Sequence, residues 1–408
     1  MIAHIIIWLV PRKVLKKGNY ATHASEQKGR GRSILSACRT LDFGGTILFV
    51  FGVGLIVLAT AWGGASYSWN SPAVLVSIVI GSVLFVAFFV YEYLLEEGRF
   101  LARHMPRTIA MIPFSLFQHR DIAIVAFMSF ATGAALYSVF YFISIYFTLV
   151  EAYPASKAGV QLLYYIPGLG AGVYLAIFFC NSWPCQTFLP LFSGTIIETA
   201  GIATMTYAIS QRDVKLLNGM MVVAGTGTGL RFMPVNLHLA GVWPDRIASV
   251  YSVVRFSLPF GGTIALTVMG AVFNNKLAES LQAMGLQDAA GFSLQNQASL
   301  QAIGSLPPAE QAIIRRAGQK ACMWAFISIM PILGVSVAAG AFMGNVWIVA
   351  KKKADQQSTS GAEVGEGAKS EVMYSSYLWA LIRGNVDKEK RPSQGTRKDD
   401  DRGAQRAD

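Results

Sequence analysis

The sequence predicts an all-α membrane protein with eight transmembrane helices. Three observations predict it. Between Leu41 and Val349 lie eight apolar stretches of membrane-crossing length, where about 20 residues at 1.5 Å per residue span a hydrocarbon core of about 30 Å. Backbone polar groups in lipid must be satisfied within the segment, so such stretches are helices. Hydrophobic residues make up 53% of the chain and charged residues 14%, against about 25% charged in soluble domains.

The spans, in order, are Phe43–Trp62, Pro72–Tyr93, Ile122–Val150, Gly159–Cys180, Thr187–Ile209, Leu217–Gly241, Ile247–Phe273 and Cys322–Ala350. Loop charge sets their direction. The loop Pro11–Arg39 holds eight Lys/Arg, Leu94–Arg120 holds Arg99, Arg103, Arg107 and Arg120, and Gly63–Ser71 holds none. Positive-inside bias puts both termini in the cytosol, as an even number of crossings requires. Two loops run against the bias: Asn181–Gln186 has no basic residue, and Gln211–Leu216 has Arg212 and Lys215.

The net charge of +11 sits in loops and tail. It therefore reads as orientation and lipid contact, with no nucleic-acid partner. Asn274–Lys320 is a long outer loop with short helical patches at Lys276–Met284 and Ala309–Lys320, the second opened by Pro307-Pro308. Beyond Lys351-Lys352-Lys353 the polar tail has too little apolar surface to offset chain entropy and is expected to be disordered. Met373–Ile382 is the exception, able to rest on the anionic inner leaflet. Cys38, Cys180, Cys185 and Cys322 form no disulfide or zinc pattern. Met1–Val10 lacks the basic start of a signal peptide.

Ionisable groups at membrane depth are costly and mark pathways or internal pairs. Glu198 lies near the middle of the fifth span, Arg231 just past the middle of the sixth, and Arg255 about 12 Å into the seventh at helical rise. These are the candidates for a substrate or proton pathway. If they face the bundle interior, Glu198 pairs with one arginine and leaves the other for an anionic group or a proton-linked switch. A structural ion pair, or an Arg255 that snorkels to the interface, explains the same residues. His238 and Asn236 read as helix-end polarity. The helix-packing or hinge candidates are Pro167, Gly168 and Gly172 in the fourth span, Gly225 and Gly229 in the sixth, and Pro259, Gly261 and Gly262 in the seventh. Small residues let backbones approach, and proline bends helices. There is no HExxH, GxSxG or P-loop, and among five histidines only His238 lies within a span. No catalytic set, metal site or cofactor is expected.

Three segments carry a family resemblance: Leu41-Asp42-Phe43-Gly44-Gly45 opening the first hairpin, Pro244-Asp245-Arg246-Ile247-Ala248-Ser249-Val250 entering the seventh span, and Gly261-Gly262 through Gly270-Ala271-Val272-Phe273-Asn274-Asn275 closing it. With the order of loops and spans, residues 1–350 resemble the back part of a fungal major facilitator superfamily transporter, in the fourteen-helix drug:proton antiporter branch. The resemblance implies five regions. Residues 1–42 would be the end of a sixth helix and a basic cytosolic loop. Residues 43–93 would be a two-helix linker hairpin and 94–121 a cytosolic loop. A C-terminal six-helix bundle would occupy 122–350, with its outer loop at 274–320, and 351–408 would be a disordered cytosolic tail. On this resemblance the N-terminal bundle, and with it the family's best-known motifs, would be absent.

By the internal repeat of such folds, Arg231 resembles the counterpart of the arginine motif and Pro259-Phe260-Gly261-Gly262 that of the antiporter motif. Asn181-Ser182-Trp183-Pro184-Cys185 departs from the pattern. The resemblance implies proton-linked efflux of a small organic compound, a drug or secondary metabolite, by alternating access. Its partners would be that substrate, protons, membrane lipid and either a second chain or the missing N-terminal half, since one bundle supplies one wall of the site. The chain is therefore expected to be truncated, and to lie in the plasma membrane or, alternatively, the vacuolar membrane. A non-transporting membrane protein with a binding or regulatory role is the alternative.

Overall fold

The computed structural model describes residues 42–63, 67–96, 99–104, 108, 119–244, 247–283, 307–348, 371–386 and 390–392. The expected helix end at Met1–Val10, the basic loop Pro11–Arg39 and most of the tail lie outside the described residues.

A hairpin comes first. Helix α1 (Phe43–Trp62) starts on Asp42, whose side chain accepts the Gly45 amide at 2.8 Å. Helix α2 (Pro72–Leu95) starts on Ser71 with Pro72 at N1, where the missing N–H costs nothing. Both helices expose valine, isoleucine and phenylalanine along most of their length, as lipid-facing rods do. The hairpin meets the rest of the molecule through aromatic contacts, Phe49 on Phe256 at 4.5 Å and Phe85 on Phe260 at 6.4 Å between ring centroids. A short helix, α3 (Phe100–His104), follows.

Six rods then form the bundle. Helix α4 (Arg120–Ile145) continues without a break into a π-helical turn, Tyr146–Val150. The fourth span is two pieces, α5 (Ala155–Leu162) and α6 (Tyr165–Asn181), separated by a turn at Leu163-Tyr164. Helix α7 (Phe188–Gln211) ends on Arg212 at φ 54°. Helix α8 (Val214–Val242) is capped by Asp213, whose carboxylate accepts the Lys215 and Leu216 amides. Helix α9 (Ile247–Ala283) and helix α10 (Pro308–Ala341) complete the set. Helix α8 packs between α6 and α7, and α9 packs between α4 and α10.

Seven helical segments are both long and apolar enough to cross a membrane. Helix α8 has the length, at 29 residues, but is not among the seven. Its glycines, its threonines and Arg231 lower its apolarity, so the expected eight becomes seven by composition among the described residues.

Three other expectations change. The patch from Lys276 is no separate surface helix, because α9 runs unbroken to Ala283. Likewise Ala309–Lys320 is the start of the last rod: Pro307 caps it and Pro308 opens it. Within the expected outer loop 274–320, residues 274–283 and 308–320 are therefore helical, and 284–306 lie outside the described residues. At its other end α10 stops at Ala341 and the chain turns extended, so Cys322–Ala350 is not one helix.

The tail differs most from expectation. Strand β1 (Asn345–Trp347) pairs antiparallel with β2 (Glu371–Met373), which pairs with β3 (Arg391–Pro392). Helix α11 (Tyr377–Arg383) lies beside them. Val372 and Met373 are fully buried, and Val372 lies in a cluster with Ile122, Leu239 and Val346. The sequence predicted disorder or a membrane-surface contact here. Instead, Val372, Tyr374, Tyr377 and Leu378 complete an apolar patch at the end of the bundle, which repays their ordering.

Candidate functional site

Glu198, the one charged residue of α7, is fully buried, and Arg231 of α8 is 3% exposed. Arg231 Nη1 donates to Glu198 Oε2 at 2.6 Å. Its Nη2 donates to the Met128 carbonyl of α4. Thr132, also on α4, donates to Glu198 Oε2 at 3.3 Å and lies 3.1 Å from the Met128 carbonyl. Thr228, one turn before Arg231, donates to Glu198 Oε1. The Tyr165 hydroxyl is 2.6 Å from Thr228 Oγ1. A threonine has one proton to give, so Tyr165 is the donor there. Hydroxyls thus run in one line from Tyr165 through Thr228 to the carboxylate.

Glycine makes this contact possible. A Cβ on Gly194 would lie 2.8 Å from Arg231 Cγ and from the Gly227 carbonyl, and one on Gly201 would lie 2.8 Å from the Ala224 nitrogen. The backbones of α7 and α8 touch, and a glutamate reaches the guanidinium without leaving its helix. Arginine keeps its proton in proteins. A carboxylate beside it is what makes its burial tolerable. Arg231 Nε stays buried without a partner among the described residues.

The pair borders a pocket of about 200 Å³ between α4, α8 and α9. Ser129, Thr132, Thr228 and Arg231 line its polar wall, and Arg255 reaches it from α9. Arg255 is exposed. It has no ion pair or hydrogen bond among the described residues, so Glu198 pairs with Arg231 and leaves Arg255 without a counter-charge.

The packing candidates divide. Gly168 and Gly172 of α6 face α8, where an added Cβ would strike the Val222 and Thr226 carbonyls. Gly225 and Gly229 face back onto Tyr165 and Leu169 of α6. Gly261 meets the Phe130 carbonyl, and a Cβ on Gly262 would lie 2.6 Å from the Tyr137 ring. Pro259 lies inside α9 and removes the donor that would close onto the Arg255 carbonyl. Pro167 sits in the first turn of α6, where helical amides have no intrahelical partner, so it disturbs nothing.

Sequence reasoning missed Tyr165, Thr228, Thr132 and the Met128 carbonyl. Thr228 stands three residues before Arg231, on the same helix face, which is the one available signal. His238 was read as helix-end polarity. It is buried, with Nδ1 2.8 Å from Thr187 Oγ1 and Nε2 3.7 Å from Asp121. Asp121 also accepts the Gly344 amide that follows α10.

No protein-family model matches the sequence. Among curated proteins, the efflux pump elcC of Phaeosphaeria nodorum, named as major facilitator-type, is 28% identical over 291 residues, 70% of this chain and 47% of that one. The efflux pump FUS6 of Gibberella moniliformis is 28% identical over 58% of this chain and 40% of its own. The efflux pump roqT of Penicillium rubens is 25% identical over 64% and 46%. The chain is thus similar to fungal efflux pumps, one of them named as major facilitator-type. It spans under half the length of these relatives. A solved bacterial homologue of the human lysosomal transporter Spinster, inward-facing and unoccupied, matches at 14% identity with a TM-score of 0.43 over 75% of this chain and 67% of that one. The apolar helices, together with the similarity to efflux pumps, mark a multi-pass membrane protein.

Proposed function

We propose that the chain serves secondary transport, moving a small organic compound across the membrane in exchange for protons. The observation that carries this reading is the Glu198–Arg231 pair, buried in the bundle yet bordering a pocket. A proton on Glu198 would cancel its attraction to Arg231 and leave the guanidinium to the Met128 carbonyl and to whatever occupies the pocket. Ion release at one helix contact could then bias a bundle whose α6–α8 and α7–α8 contacts are smooth, glycine-lined surfaces. That is the electrostatic element alternating access requires.

In this reading α8 crosses the membrane as an eighth rod despite its diluted apolarity, because its polar groups face other helices. Both termini lie in the cytosol, and the plasma membrane is the favoured location. The domain plan is a linker hairpin followed by a six-helix C-terminal bundle. In proteoliposomes carrying the full chain, with 1-naphthaleneacetate and its alcohol and amine analogues offered as substrates, an imposed pH gradient should drive uptake. Glu198→Gln should abolish the dependence on the gradient while downhill exchange persists, and Thr228→Val should shift its pH midpoint. A gradient response unchanged in both variants would contradict proton coupling at this pair.

The ordered tail favours a second reading, a membrane protein that binds or regulates a partner. It differs in outcome: removing residues after Lys353 would abolish function, and Glu198→Gln would leave it intact.

A further inference from the structure

The pocket beside the ion pair has an unbalanced charge. Its titratable lining residues are two arginines and no carboxylate. Arg231 is neutralised from behind by Glu198, whose two oxygens are already taken by Arg231, Thr132 and Thr228. Arg255 has no counterpart among the described residues. Ser129 likewise makes no side-chain hydrogen bond among them, although it is 5% exposed and lines the pocket. Among the charged and hydroxyl groups, the uncommitted ones are therefore a guanidinium and a serine hydroxyl, both able to donate. Asn236 gives one amide N–H to the Phe232 carbonyl and keeps its second N–H and its Oδ1.

The rest of the lining is apolar: Phe232, Val235, Val254 and Leu258. An unpaired guanidinium beside such a wall is costly at membrane depth. The cost falls when an anion arrives, and a planar carboxylate matches the guanidinium fork. About 200 Å³ is smaller than the usual pocket for a drug-sized molecule. It suits the acidic end of a compound whose apolar body lies along the valines and Phe232.

We infer that this pocket selects organic monoanions, carboxylic acids with an apolar body, and that Arg255 is the residue that determines the preference. The inference rests on the pocket being the substrate site. It says nothing about coupling, so the two can fail separately.

The test is equilibrium binding to the full chain in nanodiscs of zwitterionic lipid, with no gradient. Three probes share one ring system: 1-naphthaleneacetate, 1-naphthalenemethanol and 1-naphthylmethylamine. The acetate should bind at least about tenfold more tightly than the alcohol, and the amine least. Arg255→Gln should bring the acetate down to the level of the alcohol, while Arg255→Lys keeps part of the preference. Arg255 is exposed and unpaired, so Arg255→Lys should unfold near the wild-type midpoint and Arg255→Gln, which removes the unpaired charge, at or above it. Equal binding of all three probes, preference for the amine, no binding at millimolar probe, or a preference unchanged by Arg255→Gln would each overturn the inference. A second arm adds anionic phosphatidylserine to the disc. If the acetate preference vanishes there, a lipid headgroup occupies Arg255 and the inference is wrong. Failure of these arms leaves the gradient experiment on Glu198 untouched, and selective binding without gradient-driven uptake would sink the transport reading alone.

Discussion

Arg231 and Glu198 hold each other in place, so their substitutions should not add. Glu198→Gln strands a buried guanidinium, and breaking such a pair from one side costs about 3–5 kcal/mol. Replacing both residues with methionine removes the stranded charge and should cost less than Glu198→Gln alone. Equilibrium unfolding of the purified chain in mixed detergent would read both, and a double variant worse than the single would contradict the account. Thr228→Val should cost about 1–3 kcal/mol, because it leaves the Tyr165 hydroxyl and Glu198 Oε1 short of a partner. The pair was legible in the sequence because charges at membrane depth are rare. Its hydrogen-bond partners were not. Hydroxyls are common in apolar helices, and the Met128 carbonyl belongs to a residue whose side chain gives no hint of it. Which arginine Glu198 takes was open too, since both spacings allow a meeting and helix rotation decides it.

At the scale of elements, α6 and α8 meet along two small-residue rows, Gly168 with Gly172 and Gly225 with Gly229. Each pair is four residues apart, the spacing that puts both on one face. Gly229→Ala should cost about 1–3 kcal/mol by forcing the backbones apart. Gly170, with nothing within 4 Å of its added Cβ, should accept alanine and gain up to about 1 kcal/mol from helix propensity. Thermal midpoints of the two variants separate the cases, and equal shifts would contradict the packing. The glycines themselves were readable in the sequence; the distinction between Gly170 and its neighbours was not, because it depends on which face α6 turns to α8.

The docked tail is a second element with a measurable consequence. His119 packs edge-on against Trp243 at 4.4 Å and at a tilt against Tyr374 of the tail at 5.7 Å. Burial holds its pKa below the ordinary 6.5, with the Asp121 carboxylate opposing in part. Its folded pKa is lowered, so the unfolded or undocked state binds the proton more readily. The stability it contributes is complete above pH 6.5 and is lost as pH falls below that value toward the folded pKa. Hydrogen exchange of Tyr377, whose amide donates to the Met343 carbonyl at 3.1 Å, should be faster at pH 5.5 than at pH 7.5, after correction for intrinsic rates. His119→Gln should flatten the difference, and a dependence unchanged by it would rule this histidine out. The tail's order could not be read from composition, because its apolar residues are too few to form a core alone. They are enough only when Ile122, Leu239 and Val346 supply the other side.

Across the whole molecule, polar contacts gather at two ends. Asp121, His238, Thr187, Asn345 and the tail meet at one. Arg212, Glu151 and Gln319 meet at the other, where Arg212 Nε donates to Glu151 at 3.2 Å and Gln319 donates to the Ile209 and Ser210 carbonyls. Between them lies the apolar body holding the Glu198–Arg231 pair. The number and order of the rods were largely legible from apolar length. Their ends were less so: Arg315 and Gln319 look like surface residues, yet they belong to the first turns of α10, bonded to Gln311 and to the end of α7. Helix α8 is the rod on which the account depends most. It carries Arg231 and the close-packed Gly225, Gly227 and Gly229, and it is the least apolar of the crossing candidates. Single cysteines along it, in a chain with Cys38, Cys180, Cys185 and Cys322 changed to serine, can be probed in sealed vesicles with a membrane-impermeant thiol reagent. Lys215→Cys should react from one side and Pro244→Cys from the other, while Val223→Cys, 36% exposed on the protein surface, should be shielded by lipid from both. Labelling of the two ends from the same side, or of Val223→Cys as fast as either end, would contradict a membrane-crossing α8 and with it the proposed pathway.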